Sequence, residues 1–137
     1  MEPGSRPQTE GFRRLEAAQA RIDRGEDPRE ASLAAGLPIA LYGDEVRRTL
    51  DAAIRLHDNP ISLVAELVDV YTLRFALEAL EWEPLSRGPD GEWHVPDDEE
   101  PWLMWLRARD PAGQAWEFLI DASDAREQML SARKLPP

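Results

Sequence analysis

Apolar residues recur at steps of three and four through the first half of the chain. Phe12, Leu15, Ala18 and Ile22 share one face of a segment that Thr9 can cap and Gly25 can end. "DPRE" at 27–30 is a second start signal. Asp27 suits the N-cap, Pro28 the first helical position and Glu30 the return contact of a capping box. Gly36 and Pro38 keep that helix short. Val46, Leu50, Ala53, Ile54 and His57 mark a third helix, which "DNP" at 58–60 closes. A fourth helix is expected over 60–82, where Ile61, Val64, Val68, Tyr71, Phe75, Ala79 and Trp82 form one stripe. Leu63, Leu67, Val70 and Leu77 give it a second apolar face, interrupted by Arg74. A helix apolar on two sides must be covered on most of its surface, so it is either central to the domain or half of a homodimer seam.

From Pro84 the pattern changes to strands and turns. "PDG" at 89–91 is expected to join a short strand near 85–87 to "EWHV" at 92–95. A better-specified hairpin follows in "WLMWLRARDPAGQAWEFLIDA", residues 102–122. With Pro111-Ala112-Gly113 as a loop and Gly113 as a bulge, paired residues have numbers summing to 224. Ala108 then faces Trp116, Leu106 faces Phe118 and Met104 faces Ile120, an all-apolar face. Arg107 meets Glu117 and Trp105 meets Leu119 on the other. Slipping the register by one would set Leu106 against Glu117, so the bulged pairing is preferred. "SDAREQMLSARK" reads as a C-terminal helix over 123–134, with Asp124 as N-cap and Glu127 completing a capping box. The expected fold class is therefore α+β: an N-terminal bundle of about four helices, an antiparallel three- to four-stranded meander over 84–121, and a C-terminal helix. Residues 1–8 read as a disordered tail before a single domain, 9–137.

The 137 residues include no cysteine, which excludes disulfides, thiolate catalysis and Cys-based zinc sites. "MEPGSRPQTE" lacks the apolar core of a secretory signal, and 18 apolar residues nowhere run together. The expectation is a cytoplasmic protein without membrane spans. Net charge is −11, and the span 78–100 holds nine acids against Arg87 alone. A field of that sign repels phosphates and disfavours nucleic acid, while it suits a basic protein partner. All five tryptophans (Trp82, Trp93, Trp102, Trp105 and Trp116) lie in or beside this acidic stretch.

Candidate chemistry is sparse. Two histidines, no serine in a nucleophile-elbow context and no glycine-rich phosphate loop leave little to catalyse with. His57 is expected on the apolar face of its helix, satisfying terminal carbonyls. His94 with Asp97, Asp98, Glu99 and Glu100 offers metal-type ligands, but four consecutive acids cannot all point inward and the spacing matches no calcium loop. No metal or cofactor is expected. The favoured reading is a small acidic interaction module, an adaptor, inhibitor or immunity-type protein. Its sheet surface, with Trp93, His94, Asp97, Asp98, Glu99, Glu100 and Trp105, would engage a basic partner through aromatic anchors rimmed by acids. A homodimer through the 60–82 helix is compatible with it.

Residues 13–50, with a leading amphipathic helix followed by "REASLAAGL" and Gly36 at the turn, resemble the first helix-turn-helix of bacterial AraC-type regulators. The resemblance implies a transcription regulator using residues 13–57. The segment matching the recognition helix reads "PIALYGDEV", placing Gly43, Asp44 and Glu45 where donors and cations contact DNA, with Arg47 and Arg48 the nearest cations.

Overall fold

The computed structural model describes residues 7–37, 41, 43–85, 103–121 and 127–136. Helices come first: α1 (Glu10–Asp23), α2 (Pro28–Ala34), α3 (Gly43–Asp58), a 3-10 turn (Pro60–Leu63) and α4 (Val70–Ala79). Four strands follow, β1 (Glu83–Pro84), β2 (Leu103–Arg109), β3 (Ala115–Asp121) and β4 (Gln128–Lys134), in one antiparallel sheet of order β1-β2-β3-β4. The fold class is α+β, as expected. Among the described residues no helix is long and apolar enough to cross a membrane.

The start signals act as anticipated. The Thr9 hydroxyl accepts from the Phe12 N–H at 3.2 Å, and the Asp27 carboxylate accepts from the Glu30 N–H at 3.1 Å. Gly25 takes a positive φ of 96° after α1. The β2–β3 hairpin has the bulged register, with Met104 opposite Ile120, Leu106 opposite Phe118 and Ala108 opposite Trp116. Gly113 sits at φ 99°, where an L side chain is strained.

Two expected helices are corrected, one to a shorter helix and one to a strand. The stretch 60–82 is not continuous: after the 3-10 turn, Ala65 adopts φ 72° and helix resumes only at Val70, capped by Asp69. Contacts distant in sequence outcompete the helical pattern there. Ala65 N–H donates to the Met129 carbonyl at 2.8 Å, Met129 N–H donates to the Glu66 carbonyl at 3.0 Å, and Arg55 pairs with Glu66. The supposed core stripe is accordingly broken, because Ile61 and Tyr71 are 52% and 62% exposed while Leu63, Leu73, Ala76 and Leu77 are buried. A homodimer seam along a continuous 60–82 helix therefore has no such helix to use.

The second is the C-terminal helix expected over 123–134: its start, with Asp124, lies outside the described residues, and its described part is a strand. Residues 128–134 form β4, pairing Phe118 with Ala132 and Ile120 with Met129, with a bulge between. Met129 and Ala132 are buried on the core face. Glu127 does not close a capping box on its own helix. Its carboxylate instead accepts the Val70 N–H at 3.2 Å, supporting the start of α4. A strand here satisfies the otherwise open edge of β3, a gain no local helical preference supplies. The first strand also differs: Glu83 and Pro84 pair with Arg109 and Ala108 of β2, whereas the expected partner at 92–95 lies outside the described residues.

The core lies between the helices and one face of the sheet. Phe12, Leu56, Leu73 and Leu77 meet Leu106, Phe118, Ile120 and Met129, all 2% exposed or less. Each such side chain contributes roughly 1.5–3 kcal/mol relative to full exposure. Trp82 and Trp116 flank Phe118 with ring centroids at 5.9 and 6.4 Å. Helix α1 docks tightly on the end of α4. Thr9 donates its hydroxyl to the Ala79 carbonyl at 2.5 Å, and a Cβ at Gly11 would meet Ala79 backbone atoms at 2.7 Å. Gly11→Ala is therefore expected to destabilise by about 1–3 kcal/mol, although alanine is the better helix former. Urea unfolding measures it, and a gain in stability would mean that the two backbones are not in contact.

Candidate functional site

The sequence singled out seven binding residues, and six of them (Trp93, His94, Asp97, Asp98, Glu99 and Glu100) lie outside the described residues. Trp105 is half-buried in the middle of β2, opposite Leu119 and on the sheet face turned away from the core. Its ring is already engaged by a cation within the chain, since the Arg107 guanidinium carbon lies 4.4 Å from the ring centroid. Arg107 also donates to Glu117 at 2.9 Å, and Arg133 donates to the same carboxylate at 2.8 Å. Around Trp105 the described surface is thus an Arg-Glu-Arg network with an aromatic neighbour.

Burial by itself pushes the Glu117 carboxyl up, but the hydrogen bonds from Arg107 and Arg133 outweigh it and leave the group below its ordinary value of 4.5. A depressed folded pKa means that the carboxylate stabilises the fold above about pH 4.5, and that this contribution is lost as acid titrates the group.

A concave candidate site lies where helices α1, α3 and α4 meet the β2–β3 turn. A cleft of about 680 Å³ opens between the start of α1, the end of α3, the residues after α4 and the β2–β3 turn. Leu56, Pro60, Leu80, Trp82 and Pro111 supply its apolar lining, and Glu10, Asp58, Glu81 and Asp110 bring four carboxylates to it. Among the described residues no Arg or Lys belongs to the lining. His57, expected on the apolar face of α3, is exposed in this cleft.

The four acids are not equivalent. Asp110 is committed to the hairpin, accepting from the Gln114 N–H at 2.9 Å and the Trp116 indole N–H at 3.1 Å. Glu10 pairs with Arg14 at 2.6 Å. Asp58 ends α3, where the helix dipole adds negative potential beside the cleft. Glu81 follows the C-cap of α4 at φ 61°, and the Trp82 N–H reaches back to the Leu77 carbonyl at 3.0 Å. Glycine is the preferred residue at that left-handed position, so glutamate there carries a backbone cost on the order of 1 kcal/mol.

A second pocket of about 300 Å³ lies on the other side of the α1–α4 contact. Leu15, Leu37, Leu41, Phe75 and the buried Thr49 line it, and Glu10 and Glu81 belong to both cavities. Among the described residues no group of three or more His, Asp or Glu is arranged to hold a metal ion.

Comparison with protein-family models, with curated proteins and with solved structures finds no match. The class defined here is thus architectural: a helical layer on an antiparallel sheet, with an acidic cleft at one end.

The Glu117 network generates a pH prediction. Glu117→Gln should cost on the order of 1 kcal/mol at pH 7, since both guanidinium groups are partly solvated. That difference from wild type should shrink as pH falls below about 4. Denaturant unfolding at pH 7 and at pH 3 checks it; a gap that widens in acid would contradict the assigned direction.

Proposed function

We propose that this protein is an acidic interaction module that receives an Arg- or Lys-bearing segment of a partner protein. The observation that carries the reading is the 680 Å³ cleft, whose described lining combines apolar side chains with Glu10, Asp58, Glu81 and Asp110 and includes no Arg or Lys among the described residues. An apolar floor can take the methylene stem of a basic side chain while the acids meet its charged head. The chain's net charge of −11 adds long-range attraction for a basic partner and speeds encounter at low salt. The acid run at 97–100, with Trp93 and His94 close to it in sequence, belongs to the negative charge that draws such a partner. Trp105 fits it less well, because Arg107 already covers its ring.

The alternative of a DNA-binding regulator draws no comparable support. Helices α1, α2 and α3 do pack on one another, but the first turn of α3 carries Asp44 and Glu45. Two carboxylates at that point oppose a phosphate backbone.

The test is binding of a fluorescein-labelled Arg-Gly repeat peptide, followed by polarisation. Wild type should bind at 50 mM salt and lose about tenfold or more by 300 mM. Asp58→Ser with Glu81→Gly should weaken it about tenfold, while Trp105→Leu leaves it within about twofold. Because glycine suits position 81, the double variant is expected to fold at least as well as wild type. Unchanged affinity in the Asp58/Glu81 variant would overturn the reading.

A further inference from the structure

We infer that the partner segment carries a large apolar side chain beside its basic residue, and that the 300 Å³ pocket is the socket for that side chain. This rests on the cleft being the binding site for a basic segment, and it deepens that reading by adding a second determinant.

The two cavities are neighbours by construction. Glu10 begins α1 and Glu81 follows α4, and each lines both cavities, so the junction of the two helices forms the ridge between them. The ridge exists because α1 and α4 touch at Gly11 and Ala79, with Thr9 donating to the Ala79 carbonyl. On one side of it the lining is acidic. On the other side it is mostly hydrocarbon, from Leu15, Leu37, Leu41 and Phe75. A segment lying across the ridge would set a guanidinium or ammonium against Glu81 and Asp58. It would set a neighbouring leucine or phenylalanine between Leu37 and Phe75.

Charge complementarity selects the occupant. Among the described lining residues Glu10, Glu78 and Glu81 border the apolar pocket against Arg14; Arg14 is paired with Glu10 and Glu78 with Arg74, which leaves Glu81 as the rim acid that faces a cationic segment. An acidic peptide would meet repulsion at this rim, and a wholly apolar one would leave the carboxylates unused. The rim thus fits a cationic segment with one apolar anchor, whose burial adds affinity that salt does not screen.

Four labelled decapeptides of Gly-Ser background test this: Arg with Phe two residues on, Arg with Ala, citrulline with Phe, and citrulline with Ala. The Arg/Phe peptide should bind about tenfold tighter than Arg/Ala, and much of that margin should survive at 300 mM salt. Leu37→Glu changes a half-buried pocket residue and should abolish the Phe margin while leaving Arg/Ala binding intact. Glu81→Gly should weaken both Arg peptides and spare the citrulline ones. Equal affinity of Arg/Phe and Arg/Ala, or a Phe margin that survives Leu37→Glu, would overturn this inference and leave the basic-segment reading standing. Equal affinity of Arg and citrulline peptides would remove both.

Discussion

The contact on which the rest of this structure depends is the seating of α1 on the end of α4. Glycine at position 11 lets the α1 backbone reach Ala79 closely enough that a methyl group would collide with it. The Thr9 hydroxyl both caps α1 and donates to the Ala79 carbonyl, so one side chain starts one helix and satisfies the end of another. With the helices held there, Phe12 reaches the main core beside Leu77 and Phe118. The same contact sets Glu10 and Glu81 in the linings of both cavities. Packing and candidate function thus share one constraint.

What sequence reasoning recovered was local. Thr9, Asp27 and Gly25 signal their roles through residue type and spacing alone, and the hairpin register follows from pairing apolar with apolar across Gly113. What it missed was decided by partners distant along the chain. "SLVAELVD" has helical spacing and contains neither proline nor glycine, yet Ala65 and Glu66 exchange backbone bonds with Met129. "QMLSARK" suits a helix equally well, but the open edge of β3 claims it as a strand. Each error implies the other, because the break after the 3-10 turn and β4 are held by the same pair of hydrogen bonds.

The candidate site was harder to foresee. Its acids, Glu10, Asp58, Glu81 and Asp110, are spread over a hundred positions and form no motif. Charge density drew attention to 78–100, and of the three described acids in that span, Glu78, Glu81 and Glu83, it is Glu81 that lines the cleft. A usable hint was present in the stretch following α4. Glutamate occupies the position after the cap where glycine would be favoured, a departure more easily understood if the side chain is needed. Trp105 was rightly assigned to the face away from the core, but pairing by residue number could not show that Arg107 would fold over its ring.

An acidic cleft with an apolar lining, set on a closely packed helix junction and displayed by a strongly negative chain, is well suited to capturing a cationic segment. The most direct test is to follow backbone amide resonances while titrating the Arg/Phe decapeptide. Perturbations should cluster at residues 8–11, 57–58, 80–82 and 110–112, with a second group at 37 and 75. Perturbations confined to 103–109 and 115–121, or none at saturating peptide, would contradict the account.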